Sequence, residues 1–412
     1  MVSLLLLAPV CNGDDVGEAW VAYQWAKHLG ERHDVTLLTY HRRGARPAAD
    51  QLPGLRVIEW IEPPLVGRAE RLNAMLKPGY VPYYIKARRW IREAISRGEH
   101  FDVAHQVVPV AMRYPSPALG FGIPLVMGPV GGGLSSPPGL AADEGSTPWY
   151  MNLRRFDRAR MRLDPLLRRT YEQADCVLGI AEYVRDLLEG LDLRRFEVMS
   201  ETGLDSIPDP VDRTGRKGTV RLLYVGRLIR TKGARDILRA MPQLADLDLH
   251  LDIVGEGPER AACAALIAEL GLTARVTLHG WKSKEEVARF YRDADVFVFP
   301  SYREPGGNVA LEAMGYGLPL IVVDRGGPGS ATNDDCAIRL RAVTPDLLSQ
   351  DVADAIRKLT VDPDLRQVMG LAARRHVGAT ALWGAKIDRI DAIYRDLIAA
   401  SDRTVPTGAP RP

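Results

Sequence analysis

Two carboxylates, Glu304 and Glu312, stand eight residues apart in the stretch VFVFPSYREPGGNVALEAMGYGLP, Val296 to Pro319. Val296 to Phe299 reads as a buried strand, closed by Pro300 and Ser301. A polar loop with Glu304, Gly306 and Gly307 follows. A helix is then predicted to start near Asn308, with Glu312 on its first turns and Gly317-Leu318-Pro319 stopping it. The two acids therefore flank one helix N-terminus, whose unpaired N–H groups and positive dipole end suit an anion. Gly306 and Gly307 remove the side chains that would hold a ligand off that backbone. A site that grips phosphate between acidic groups suits a phosphorylated sugar.

Cations stand upstream. Gly226-Arg227 follows the expected strand Val220 to Val225, and Lys232-Gly233 comes five residues later. An arginine forks across two phosphate oxygens, and a lysine adds a mobile point charge. Arg230 in the same loop keeps a second reading open, a plain solvated basic loop. Gly255-Glu256-Gly257-Pro258 follows the run Leu247 to Val254 and serves equally as a structural turn or as a wall beside a nucleotide. His279-Gly280-Trp281 follows the next strand and is the candidate base pocket, against the alternative that Trp281 only packs. No D-x-D pair appears in a metal-binding context, so no metal ligand is assigned; Arg227 and Lys232 supply the charge that would neutralise a diphosphate.

VGRLIRTKG (Val225 to Gly233), IVGEGPE (Ile253 to Glu259), VTLHGW (Val276 to Trp281) and the Glu304 to Glu312 stretch follow one another in a familiar order and spacing. In these the C-terminal half resembles the retaining glycosyltransferases of the family 4 group, with their E-x7-E signature. The N-terminal half matches that family in general shape only. The resemblance implies α/β folding of the GT-B type, two Rossmann-like parallel-sheet domains facing an interdomain cleft. It implies that Arg227 and Lys232 neutralise the donor's diphosphate, that Glu312 holds the ribose hydroxyls, and that Glu304 meets the transferred sugar near its anomeric carbon. Gly226, Gly255, Glu256, Gly280, Trp281, Gly306, Gly307, Asn308 and Val309 complete the expected donor side; Asn308 also reads as a plain N-cap. A nucleoside-diphosphate sugar is the co-substrate, with no other cofactor, and the family's usage favours UDP over GDP. The implied reaction is front-face transfer of a hexosyl-type sugar, with retention, to a hydroxyl on a glycan, lipid-linked or small-molecule acceptor. A covalent nucleophile would have to reach the face opposite the leaving group. Glu304 is tied to the phosphate loop, which favours a binding or electrostatic role.

The resemblance also places a glycine loop after the first strand, at Cys11 to Gly17, where Gly13 and Gly17 fit. Asp14 and Asp15 would repel a diphosphate, so they read acceptor hydroxyls or an amine, or else form an ordinary loop and helix cap. At Met127 to Gly133, MGPVGGG, the chain departs from the family. Gly131 and Gly132 stand where many members carry a histidine on the donor sugar. His105 is a second contact to weigh, against a satisfied buried histidine.

Elements must hold these residues in place. The chain has 412 residues, 46% hydrophobic and 26% charged, with a net charge of +2, which suits two globular domains and gives no footprint for nucleic acid. Strands and helices alternate in both halves, as parallel sheets covered by helices require. Strands are expected near Val2 to Ala8, Val35 to Tyr40, Arg56 to Trp60, Val103 to His105, Pro124 to Met127 and Cys176 to Ile180. A second series is expected at Val220 to Val225, Leu247 to Val254, Val276 to His279, Val296 to Phe299 and Leu320 to Val323. The domains read as 1–205, a linker 206–218, and 219–381; by resemblance a helix over 382–400 returns to the first domain, and 401–412 is an unstructured tail. Leu4 to Leu7 is too short and too poorly flanked for a leader, and no run approaches a membrane span. Four scattered cysteines suit a reducing compartment, hence the cytoplasm. Basic segments with aromatics, 68–92 and 153–169, leave peripheral contact with the inner face of a membrane open. Oligomeric state stays open too.

Three other classes fit the residues less well. A sugar-nucleotide epimerase or hydrolase on the same fold needs a second acid/base group, and none stands out. A dinucleotide oxidoreductase needs G-x-G-x-x-G after the first strand and an acid about twenty residues on, and CNGDDVG with Tyr40 gives neither. A non-catalytic nucleotide-sugar-binding subunit sits poorly with intact Arg227, Lys232, Glu304 and Glu312.

Overall fold

The computed structural model of the chain describes residues 1–63, 79–144, 160–161 and 163–404. They form two compact units, each with its own parallel sheet. One unit takes residues 1–133, the chain up to Thr202, and Lys386 onward; the other takes the chain from Leu134 through Glu144 and Gly203–Ala385.

The first sheet is built from β1 (Ser3–Val10), β2 (Asp34–His41), β3 (Arg56–Ile61), β4 (Val103–Gln106), β5 (Leu125–Val130), β6 (Cys176–Gly179) and β7 (Phe196–Val198), in the order β3-β2-β1-β4-β5-β6-β7. Leu4 to Leu7 are fully buried. A strand covered by helices on both faces must be apolar on both, so it reads as a continuous run rather than an alternation. The helix Glu18–Gly30 covers this sheet with Val21, Ala22, Trp25, Ala26 and Leu29, the i, i+4 spacing of one face.

The second sheet contains β8 (Val220–Val225), β9 (Leu249–Val254), β10 (Val276–Gly280), β11 (Val296–Phe299), β12 (Leu320–Val323) and β13 (Ala337–Leu340), in the order β10-β9-β8-β11-β12-β13. Strand order reverses between β8 and β11, which pair through Leu222 with Val296 and Leu223 with Phe297. In doubly wound sheets the ligand crevice opens outside the carboxyl ends of the strands at such a reversal. The helix Lys284–Asp293 is closed by a capping box between Ser283 and Glu286, which satisfies two orphan N–H donors.

Two boundaries and two edge strands differ from expectation. The chain from Leu134 to Glu144 packs in the second unit, with Leu140 fully buried in its core. The last helix, Trp383–Thr404, runs four residues into the stretch expected to be unstructured. The edge strands β7 and β13 were not anticipated: both are short, and each is flanked by a strand on one side only. The linker is not loose at its end. Arg213 donates to the carbonyls of Tyr291, Ala294 and Tyr316 at 2.8–2.9 Å, fixing it to the second unit.

Candidate active site

At the reversal, β8 ends in Gly226-Arg227 and β11 ends in the loop Pro300 to Gly307. Gly226, Gly255 and Gly280 close β8, β9 and β10 side by side. The Gly255 N–H donates to Gly280 O at 2.8 Å, the Gly226 N–H donates to Val254 O at 3.0 Å, and a Cβ on Gly255 would overlap Gly226 O. Gly255 is therefore a packing glycine, at φ 140°.

The loops after β8 and β11 are tied to each other. The Tyr302 N–H and the Ser301 hydroxyl donate to Thr231 O at 3.2 and 3.1 Å. Gly233 sits at φ 81°, where a Cβ would overlap Pro300 O, so only glycine fits. This knot brings Lys232 Nζ onto Glu304 Oε2 as an ion pair, with both side chains mostly covered. Phe299 lies 5.9 Å beneath the same ammonium. Arg227 is exposed, and among the described residues no carboxylate pairs with its guanidinium.

One sequence alternative falls here. Arg230 is no part of a solvated basic loop: it is 5% exposed, and it forks onto Asp236 at 2.5 and 2.8 Å and onto Asp143 at 2.6 Å. Arg303 does not pair with Glu304 but with Glu144, at 2.9 Å.

The helix Asn308–Gly315 follows. Its N-cap is Gly307 at φ 79°, not Asn308, which is the first helical residue and is exposed. The cap carries no side chain, so nothing of its own covers the first turn. Behind it, Gly327 donates to Glu304 O at 2.8 Å and Pro328 lies 2.8 Å from where a Cβ on Gly307 would be. Glu312 lies five residues into the helix from Gly307, roughly 7.5 Å along its axis. Its Oε2 accepts from the Tyr291 hydroxyl at 3.0 Å, and that hydroxyl also lies 3.4 Å from Val309 O. Burial pushes the Glu312 carboxyl above its ordinary range, against the Tyr291 hydrogen bond and the Lys284 charge. Leu311 and Met314 are buried, as a face apart from Glu312 requires.

Trp281 is 73% exposed, so it does not pack. His279 is engaged elsewhere: its Nε2 meets Asp252 at 2.7 Å and its ring lies 4.5 Å from Phe290. Glu256 is exposed and pairs with Arg260 at 3.1 Å.

In the first unit, Gly17 at φ 66° caps the helix Glu18–Gly30, so neither aspartate does. Gly13 donates to Gln51 at 2.7 Å. Asp14 lies 3.5 Å from Arg46 and Asp15 4.0 Å from Arg42, both at the surface. Gly131 donates to Val110 O at 2.7 Å, and Gly132, at φ 91°, donates to the Tyr183 hydroxyl at 3.2 Å. His105 is buried, with Nε2 donating to Gly128 O and Nδ1 accepting from Tyr394, both at 2.6 Å. Burial lowers its pKa to about 4. A neutral imidazole with both nitrogens used is a core group, not a sugar contact.

Of the two basic segments, 68–78, 153–159 and 162 lie outside the described residues. In the described part Tyr80 and Tyr83 are buried, Arg88 donates to Pro117 O and Leu119 O, and Arg89 pairs with Glu93. No helix among the described residues is long and apolar enough to cross a membrane. Sequence reasoning missed Asp143 and Glu144, which hold the arginines beside Lys232 and Glu304; nothing local marks them, because their partners are 87 and 159 residues away.

The family described as "Glycosyl transferase 4-like domain" matches residues 16–200, and "Glycosyl transferases group 1" matches 211–376. The α-D-kanosaminyltransferase of Streptomyces kanamyceticus is 31% identical over 245 residues, 58% of this chain and 59% of that protein. The D-inositol 3-phosphate glycosyltransferase of Corynebacterium diphtheriae is 32% identical over 184 residues, 42% of each. The matches thus span about half the length of these relatives. Among solved structures, the sucrose-phosphate synthase of Thermosynechococcus elongatus superposes with a TM-score of 0.62 at 22% identity, over 96% of this chain and 99% of that one. HepE of Anabaena in complex with UDP gives 0.63 at 17% identity, over 96% and 100%. Two parallel sheets of GT-B type and two family matches that together run from residue 16 to 376 place the chain among the family 4-type glycosyltransferases.

Proposed function

We propose that the chain transfers a hexosyl-type sugar from a nucleoside-diphosphate sugar to a hydroxyl acceptor, with retention and without a metal ion. The observation that carries this is the ion pair of Lys232 with Glu304 at the strand reversal, on the loop that also carries the exposed Arg227, followed by the helix Asn308–Gly315 whose Gly307 cap has no side chain. Arg227 forks onto the diphosphate, and Lys232 turns from Glu304 toward it as the leaving group gathers charge. Once Lys232 engages phosphate, the Glu304 carboxylate is left to meet the sugar and the positive charge that grows at its anomeric carbon. Glu312 accepts from the ribose hydroxyls. A departing phosphate oxygen takes the acceptor's proton, so sugar and acceptor meet on one face. Positioning and charge stabilisation then supply most of the rate. A uridine donor is favoured, in keeping with family usage and with the fold neighbour bound to UDP.

Calorimetry with UDP, GDP, ADP, TDP and NAD in metal-free buffer tests this. One nucleoside diphosphate is expected to bind selectively, and Lys232→Ala to weaken it by about tenfold or more, the scale of one charge-assisted contact. Binding of NAD alone, or of no diphosphate, would refute the donor site.

A further inference from the structure

The chain from Leu134 to Glu144 comes from the first half of the sequence yet belongs to the second unit. It is anchored along its length. Ser135 O accepts from Arg325 Nη2 at 2.7 Å, and Ser136 Oγ accepts from Arg303 Nη1 at 3.2 Å. Gly139 lies so close to Val343 O that a Cβ would overlap it, and Leu140 is fully buried. The segment ends on two acids. Asp143 accepts from Arg230 Nε at 2.6 Å, has Nη2 at 2.5 Å, and lies 3.4 Å from Arg239 Nη1. Glu144 accepts from Arg303 at 2.9 Å, with a carboxylate only 7% exposed.

These arginines are not placed at random. Arg230 stands two residues before Lys232, and Arg303 one before Glu304. Each loop that supplies a donor group therefore also supplies a covered guanidinium that needs an acid. Asp236 answers part of that need for Arg230. Among the described residues, Arg303 has no carboxylate but Glu144. Without it, Arg303 would be left beside Glu304 and would compete with Lys232 for that carboxylate.

We propose that the strap Leu134–Glu144 is a positioning device for the donor site, in which Glu144 and Asp143 absorb the charge of Arg303 and Arg230 so that Lys232 and Glu304 pair only with each other and with the ligand. The proposal rests on the reading of those two residues as donor groups. Neither acid touches substrate; both act through the arginines. A strap that worked only as a buried brace would be indifferent to the charge on Arg303, whereas this one is not: removing Glu144 does harm because an unanswered cation remains, and removing that cation as well undoes the harm.

The test compares the full-length wild type with Glu144→Gln, the double variant Glu144→Gln/Arg303→Gln, and Asp143→Asn, which leaves Asp236 on Arg230. Amide hydrogen exchange is read over 228–233 and 300–307, alongside UDP affinity and turnover of the nucleotide sugar. Glu144→Gln should speed exchange in 300–307 and lower turnover by about tenfold, with UDP affinity within about twofold, as a small misplacement at a reacting centre does. The double variant should recover both readouts, and Asp143→Asn should loosen 228–233. Wild-type exchange in both single variants, or a double variant as impaired as Glu144→Gln, overturns the proposal. If no nucleotide sugar is turned over by the wild type, the transferase reading fails, and the exchange readout still decides for or against the strap.

Discussion

Glu312 is a carboxylate held where a carboxylate is disfavoured. Its pKa is raised by burial, so the folded state binds its proton more tightly than the unfolded chain does. The stability it contributes is complete below the unfolded pKa and is lost as pH climbs through the folded one. Glu312→Gln removes the titrating group and keeps an acceptor for the Tyr291 hydroxyl. The variant is expected to be no less stable than wild type, with a melting-temperature advantage that grows from pH 4 to pH 7, while nucleoside-diphosphate affinity falls. Scanning calorimetry across that range checks it, and an advantage that shrinks with rising pH would contradict the assignment. A loss of affinity beside a gain in stability would mean that the proposed ribose contact is made at the expense of the fold. Glu304 differs, because its charge is answered by Lys232. Glu304→Gln should abolish transfer, leave the fold intact and keep most nucleotide affinity, since the proposed diphosphate contacts are those of Arg227 and Lys232. Full turnover in that variant would remove Glu304 from the chemistry.

Among the elements, those buried on both faces were legible in the sequence. Val296–Phe299 and, apart from the exposed Arg221, Val220–Val225 lie where their apolar runs put them, because a central strand has little polar face to dilute the signal. The edges β7 and β13 were not legible: Phe196–Val198 has three half-buried residues, and Ala337–Leu340 carries Arg339. The candidate site divides in the same way. Glu304, Gly306 and Gly307 announce themselves by local spacing, whereas Glu144 matters only through an arginine 159 residues distant. The alternative reading of Asn308 as a cap fails because the cap position takes a φ of 79°, which Gly307 meets without strain. The returning helix Trp383–Thr404 hides a further element-level device. Lys386 on it is 2% exposed, donates to Ser200 O at 2.6 Å and Thr202 O at 2.7 Å, and lies 4.9 Å from the Trp25 ring. Burial lowers its pKa to about 7. A depressed amine pKa means the unfolded chain binds the extra proton, so this group's contribution to stability rises with pH above about 7 and is lost as pH falls through that value. Wild type should therefore gain stability from pH 6.5 to 9 relative to Lys386→Met, read from paired denaturant titrations. Parallel curves over that interval would mean the lysine stays charged in the fold.

For the molecule as a whole, the division of labour follows from where the groups lie. Arg227, Lys232, Glu304, the uncapped helix start at Gly307 and Glu312 all belong to the second sheet and its loops, and none comes from the first unit. A nucleoside diphosphate without its sugar should then find every contact it needs on the second unit. At a concentration a hundred times its Kd, a ligand that binds only the folded form stabilises it by about 2.7 kcal/mol. Added UDP, or whichever diphosphate binds, is expected to slow amide exchange over 226–233 and 300–312 by an amount of that order and to leave 11–17 and 131–133 unchanged. If Arg227 and Lys232 carry the charge that a divalent ion would otherwise supply, as proposed, adding a chelator should alter neither the protection nor the turnover. Protection that vanished with the chelator would show that those two cations are not enough, and protection that began at Cys11 to Gly17 would move the diphosphate to the other sheet. The loops 11–17 and 131–133 of the first unit offer hydrogen-bonding groups in Asp14, Asp15 and the glycines, but the arginines beside those aspartates, Arg46 and Arg42, already face them, so a bare diphosphate has no reason to settle there.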